Sequence, residues 1–183
     1  MGDTHTRWAT PDDATGVAIV HVESWRVAYQ GLIPADVLDA LRVDERADGW
    51  SRWIESSRRG QPTDGEAAAP HRLLVAEADG GIVGWASFGA GRDEGTTDLG
   101  EIAGLYVHPD YWSRRVGHAL ITRAEQELVA AGWSEGYLWV LRGNDRAIRF
   151  YEQHGWHADG GEKFGDAGGA HELHELRHAR SLG

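Results

Sequence analysis

The chain has no cysteine, one methionine and a single lysine, Lys163, among its 183 residues. Without thiols, disulfide staples, thiolate metal sites and cysteine nucleophiles are excluded together. No apolar run approaches the ~18–20 residues that a membrane-crossing helix needs. The opening stretch MGDTHTRWATPDD is polar and partly acidic, unlike a secretory signal, so a cytoplasmic location is expected. Basic side chains are few beside acidic ones, 18 Lys and Arg against 29 Asp and Glu, for a formal charge of −11. That sign argues against binding nucleic acid through its phosphates. It favours long-range attraction of a cationic partner such as an amine. Arginine, alanine and glycine in place of lysine read as a bias of genomic base composition.

What is present is an ordinary globular mixture, 41% hydrophobic and 26% charged. A chain of this length buries roughly 70% of its unfolded surface, enough for one domain spanning 1–183 without a metal staple. Apolar residues recur at helical spacing from Asp12 to Tyr29, after Thr10-Pro11 and before Gly31. Further helical stretches are expected from Pro34 to Leu41 and from Asp44 to Ser57. Residues 58–70 carry two prolines and no period and read as a mobile surface loop. The period then shortens. His71–Ala78 and Ile82–Phe88 flank Asp79-Gly80-Gly81 as a β-hairpin, and residues 99–107 form another strand. Gly104 within it suggests a bulge or a close approach. A helix is expected over 113–131, a buried strand over 136–141 and a short helix from Asn144 to His154. Strands at about 156–163 and 171–178 complete one α/β arrangement.

Two segments carry chemistry. In EIAGLYVHPDYWSRRVGHAL, residues 101–120, a strand runs through a basic turn into a helix. Free first-turn N–H groups and the helix dipole favour an anion there. Arg114 and Arg115 add charge, and Gly117 allows close approach of the backbone. A helix start with arginines in solvent is the plain alternative. In LWVLRGNDRAIRFYEQHGW, residues 138–156, Asn144 is a good N-cap, and Ala147 and Tyr151 share a helix face. A core tyrosine is the plain alternative for Tyr151.

Together and in this order the segments resemble the GNAT superfamily of acetyl-CoA-dependent N-acetyltransferases, small bacterial type, over nearly the whole chain. VESWRVAYQGLIP (22–34) looks like the acceptor-side opening, LYVHPDYWSRRVGHAL (105–120) resembles the pyrophosphate segment, and NDRAIRFYEQHGW (144–156) is similar to the N-x-x-A-x-x-F-Y-x-x-x-G-F signature. The usual loop, Gln/Arg-x-x-Gly-x-Gly/Ala, is altered. Counted back from Gly117, Trp112 stands for Gln/Arg and Arg115 for the first glycine; a frame shifted by two, Arg114-x-x-Gly117-x-Ala119, fits the letters. The first frame keeps Pro109 and Leu120 in place. A side chain at Arg115 resists positive φ, which bears on how closely the backbone wraps a pyrophosphate.

The resemblance implies a central, mostly antiparallel mixed sheet of about six to seven strands flanked by helices, the N-terminal ones on the acceptor side. It implies direct acetyl transfer from acetyl-CoA to a primary amine of a small molecule or peptide, without a metal, with homodimers common among small members. Tyr151 matches the general acid. Glu101, eleven residues before Trp112, stands where some members carry a base; the place used by others on the next strand holds Trp139, which has no titratable group. Leu105, Tyr106 and Val107 would meet the pantetheine arm, with the Val107 N–H a candidate carbonyl donor. Ser113, Arg114, Arg115, Val116, Gly117, His118 and Ala119 would hold the pyrophosphate, and Asn144, Ala147 and Tyr151 the arm's other side. Trp25 and Tyr29, with Trp50 and Trp53, belong to helices that wall the acceptor pocket. Two alternatives stand beside this reading: an acyl-CoA-binding sensor without turnover, and an acetyltransferase of protein N-termini or lysines.

His174-Glu175-Leu176-Arg177-His178 matches the H-E-x-x-H zinc pattern. That pattern needs a helix and a third ligand. Here it falls in the expected final strand. The acidic loop Asp93, Glu94 and Asp98 reads as solvated, or as an attractor for a cationic acceptor.

Overall fold

The computed structural model describes residues 4–63 and 70–183; residues 64–69 of the expected 58–70 loop lie outside them. Helices α1 (Ala14–Ala28), α2 (Ala35–Asp39) and α3 (Val43–Arg58) follow a first short strand, β1 (His5–Trp8). Strands β2 (Arg72–Ala78), β3 (Gly81–Ala90) and β4 (Gly100–Val107) come next, then α4 (Val116–Ala130), β5 (Glu135–Leu141), α5 (Asp145–Gln153), β6 (His157–Ala167) and β7 (Ala170–Ser181). The seven strands form one sheet in the order β1-β2-β3-β4-β5-β7-β6. Only β4 and β5 run parallel. This is the expected mixed, mostly antiparallel sheet.

The expected elements are present with shifted ends. Strand β1, HTRW, is an addition to the expected elements. Four residues carry too little alternation to stand out, and the strand exists because Trp8 packs against Phe88 while Arg7 pairs with Asp13 and Glu77. α4 starts at Val116 instead of 113, because Ser113 and Arg115 adopt left-handed φ of 61° and 65°. The final strands run longer than expected, joined at the Gly168-Gly169 turn.

Two faces of the sheet are covered differently. α4 and α5 lie over one, where Leu120, Ile121, Leu128, Tyr151 and Trp156 pack on Ile102, Leu138 and Val140. Helices α1 to α3 lie over the other. Val17, Val20 and Ile54 pack there on Val75 and Trp85; Trp25 and Leu38 pack near Leu141.

The feature that positions a site is a parting of the sheet. β4 and β5 pair only from Gly100↔Gly136 to Ile102↔Leu138. Beyond that, the β5-facing edge of β4 is free, and residues 103–107 are half-exposed in mid-sheet. The register of β4 against β3 slips between Ile102 and Gly104, which leaves Ala103 without a partner. A bulge of this kind bends its strand and adds twist. At Gly104 a Cβ would lie 2.9 Å from the Trp85 ring, so the bulge and the close approach expected of this glycine both occur.

Candidate active site

At the open end of the β4–β5 cleft, the turn before α4 offers its backbone. Arg115 holds the left-handed conformation that a glycine would adopt freely, as does Ser113 two residues earlier. Consecutive N–H groups in such a turn make an anion-binding concavity, and α4 adds its dipole. Arg114 and Arg115 are exposed at its rim. The first in-helix bond runs from the Ala119 N–H to the Arg115 carbonyl, so the N–H groups of Val116, Gly117 and His118 have no helical acceptor.

Gly117 has a different reason from the expected one. A Cβ there would lie 3.1 Å from the Phe150 ring of α5, so its smallness lets the two helices converge. His118 also reaches α5: its Nδ1 lies 3.0 Å from Nε2 of His154. The His154 Nδ1–H donates to the Phe150 carbonyl, so Nε2 accepts and His118 donates. Trp112 binds the end of β4 by donating its Nε1–H to the Val107 carbonyl at 2.8 Å, and the Arg146 guanidinium of α5 sits 4.0 Å over its ring. The two segments singled out in the sequence therefore meet in space.

α5 starts at Asn144, whose side-chain oxygen accepts the Ala147 N–H at 3.3 Å. Ala147, Ile148 and Phe150 pack on the core at Tyr151. Burial pushes the Tyr151 phenol well above its ordinary range, and Tyr106 adds to this, so it stays protonated at neutral pH. Among the described residues no hydrogen bond is made to its hydroxyl. Leu105 and Val107 pack toward α4, and Tyr106 turns to the opposite face.

On that face Tyr29 and Tyr106 join their hydroxyls at 3.1 Å. Burial raises both phenols. Trp25 is 7% exposed and stands edge-on to Tyr29; the Gly168 turn packs on its ring. Trp50 and Trp85 close around His21 together with Trp25 and Tyr106, at ring separations of 4.7–6.4 Å within the group. Trp50 donates to His21 Nδ1, and burial, with Arg46 nearby, lowers the imidazole to about 3. These tryptophans pack on one another around a neutral histidine.

Three carboxylates occupy the same face, in three different settings. Glu101 is 2% exposed. Arg92 grips it with Nε at 3.0 Å, Nη2 at 2.8 Å and its backbone N–H at 3.0 Å. Asp93 accepts the Trp139 Nε1–H at 2.8 Å and lies 3.7 Å from Lys163 Nζ. Burial opposes its charge, but the Trp139 bond and Lys163 prevail and hold it below the ordinary carboxylate range. Glu175 on β7 is 28% exposed and 3.8 Å from Lys163 Nζ. Burial raises it, offset in part by Lys163 and reinforced by Asp93. Glu94 and Asp98 are exposed.

Glu175, Asp93, Trp139 and Lys163 form a cluster that their places in the sequence do not suggest. Glu175 sat inside the zinc-like pattern, and Trp139 has nothing to titrate. The pairing of β7 with both β5 and β6, and the fold of the 91–99 loop, bring them together. The zinc-like segment is strand β7. His174 and His178 are four strand residues apart, about 13 Å, with His174 on Glu162 and His178 buried. Among the described residues no group of three or more His, Asp or Glu side chains could hold a metal. No helix among them is long and apolar enough to cross a membrane.

Comparison with known proteins agrees with this arrangement. The sequence model of the GNAT acetyltransferase family matches residues 37–156. The chain is 31% identical over 147 residues to YuaI of Bacillus subtilis, described as an uncharacterized N-acetyltransferase, covering 80% of this chain and 76% of the relative. It is 38% identical over 84 residues to the acetyltransferase ECA0875 of Pectobacterium atrosepticum, covering 46% of this chain and 56% of the relative. In fold it is similar to the PaiA N-acetyltransferase of Thermoplasma acidophilum in complex with coenzyme A, with TM-score 0.74 and 19% identity, over 98% of this chain and 99% of that one. It is also similar to YncA, a putative acetyltransferase of Salmonella typhimurium with acetyl-CoA, with TM-score 0.71 and 19% identity, over 99% and 95%. A mixed sheet parted between β4 and β5, with a turn of free N–H groups at its open end, is the fold the chain shares with these acetyltransferases. The chain belongs to the GNAT family of acetyltransferases.

Proposed function

We propose that the protein is an acetyl-CoA-dependent N-acetyltransferase that transfers acetyl directly to a primary amine of a small molecule or peptide within a ternary complex. The observation that carries the reading is the junction of three parts: the free edge of β4 at 103–107, the left-handed turn at 113–115, and Tyr151 on α5 beside them. Coenzyme A or acetyl-CoA in two proteins of the same fold supports the choice of donor.

In this reading the turn from Ser113 to Ala119 holds the pyrophosphate, with Arg114 and Arg115 adding charge-assisted bonds. Backbone groups of Leu105, Tyr106 and Val107 align the pantetheine arm along the open β4 edge, and Asn144 and Ala147 bound its other side. Such positioning removes several kcal/mol from the barrier. A backbone N–H of β4 stabilises the carbonyl oxygen as charge develops. Tyr151 gives its proton to the leaving thiolate. Trp25 and Tyr29 belong to the acceptor side.

A sensor without turnover is the alternative that a side chain at Arg115, in a glycine place, favours if it loosens the turn. Arg115 adopts the glycine conformation there, so that ground is weakened.

The test is calorimetric binding of acetyl-CoA together with a thiol-release assay over a panel of small amines, peptides and a lysine-rich protein. Release with at least one small amine or peptide is expected. Tyr151→Phe should lower kcat by about 10²–10⁴ and leave acetyl-CoA binding nearly unchanged. Binding without release on any acceptor would favour the sensor.

A further inference from the structure

Resting on the acetyl-transfer reading, we infer that Glu175, on strand β7, is the group that takes the proton from the acceptor amine. The first ground is the state of the three carboxylates on the acceptor face. Glu101 is sealed, and both of its oxygens are occupied by Arg92. To accept a proton it would have to give up the paired bonds of the Arg92 guanidinium, which itself is partly exposed. Asp93 holds a hydrogen bond from Trp139 that favours its charged form. Glu175 alone of the three receives no hydrogen bond among the described residues, and it is open enough for an amine to reach.

The second ground is position. Glu101 is level with Tyr137 on β5, where β4 and β5 are still paired. Glu175 is level with Leu141, four residues further on and about 13 Å nearer the open end. Its side chain points to the α1–α2 face with Leu141, since the adjacent Leu176 and Val140 belong to the opposite core. Tyr29, hydrogen-bonded to Tyr106, is within electrostatic reach of both Tyr151 and Glu175. The proposed acid and the proposed base thus flank one tyrosine pair at the parted end of the sheet.

The charged and titratable groups facing Glu175 are Lys163 from β6, Asp93 and Arg92 from the β3–β4 loop, Glu101 and Tyr106 from β4, and Tyr29 from the end of α1. Burial and the neighbouring carboxylates raise its affinity for a proton, and Lys163 lowers it. A carboxylate raised toward neutrality is better matched to proton removal at physiological pH.

The step balances as follows. The ammonium form of the acceptor gives one proton to the Glu175 carboxylate, and the neutral nitrogen attacks the thioester carbonyl. The C–N bond forms and the C–S bond breaks. The thiolate takes the Tyr151 proton, and the second proton lost by nitrogen restores Tyr151. Glu175 releases its proton to solvent, so each turnover yields amide, free thiol and one proton.

The experiment records kcat against pH by thiol release for the wild type, Glu175→Gln, Glu101→Gln and Lys163→Met, using an amine accepted by the wild type. Acetyl-CoA calorimetry and Tm monitor folding. Glu175→Gln is expected to lose about 10²–10⁴ in kcat near neutral pH. The deficit should shrink as pH rises through the acceptor's own pKa, because the amine then arrives neutral. Lys163→Met should move the acid limb to higher pH, and Glu101→Gln should lower Tm while the limb stays. If Glu175→Gln fails to bind acetyl-CoA, the Lys163→Met limb decides: a shift supports the assignment and an unmoved limb overturns it. Wild-type turnover with an unchanged limb in Glu175→Gln overturns the role of Glu175 alone, and loss of the limb in Glu101→Gln transfers the role to Glu101. If the wild type releases no thiol with any amine, the acetyl-transfer reading fails and this assignment fails with it.

Discussion

Arg115 holds a backbone conformation that costs a side-chain-bearing residue about 1–2 kcal/mol, and it does so at the mouth of the candidate site. Strain kept in such a place points to a use for the residue. The guanidinium supplies one, as a bidentate partner for phosphate beside N–H groups that already point outward. Arg115→Gly is expected to raise stability by about 1 kcal/mol, less whatever the freer unfolded chain takes back. It should also weaken acetyl-CoA binding and flatten the salt dependence of that binding. Thermal denaturation and calorimetry at two ionic strengths check both halves. A rise in Tm with unchanged binding would leave the arginine as a solvated substitute for glycine.

Among the elements, the decisive contact is between α4 and α5, which are separated in the chain by β5. Gly117 admits the Phe150 ring, and Trp112 and Arg146 meet across the same gap. This convergence holds the turn before α4 beside α5. Gly117→Val would press two methyl groups into the Phe150 ring, with an expected loss of about 1–3 kcal/mol. Phe150→Leu in the same chain should recover part of that loss, since the two positions share one contact. A double-mutant cycle by chemical denaturation measures the coupling, and additive effects would show that the helices can move apart freely. The sequence located both helices from their apolar period and caps. It did not show that Gly117 serves the helix pair, because the ring that needs the space lies 33 residues away.

For the whole molecule, the aromatic group around His21 ties stability to pH. Trp50 donates to Nδ1, and the buried Nε2 has no hydrogen-bond partner among the described residues, so protonation would break one bond and place a charge among tryptophans. With a folded value of about 3 against an ordinary 6.5, the unfolded chain binds the extra proton. The contribution is therefore complete above pH 6.5 and is lost as pH falls from there toward 3. Each pH unit in that window removes up to about 1.4 kcal/mol. His21→Gln keeps an acceptor for Trp50 and cannot titrate. Its Tm should fall less steeply between pH 6.5 and 4 than that of the wild type, and equal slopes would refute the assignment.

Local pattern was enough to draw most of this molecule. Short apolar runs between turn residues marked β2 to β5, the 3.6-residue period marked α1, α3 and α4, and Asn144 marked the start of α5. The spacing of 105–120 and 144–156 was sufficient to point to the family. The four-residue β1 is not legible along the chain because its reason to exist is Phe88 and Glu77, far from it in sequence. Which carboxylate is free to take a proton was equally hidden. Glu101, Asp93 and Glu175 are alike as letters, and what separates them is Arg92, Trp139 and Lys163, delivered by a loop and two strands. Periodicity and capping act between near neighbours and so can be read along the chain. Burial and hydrogen bonding at a site depend on residues that only folding brings together.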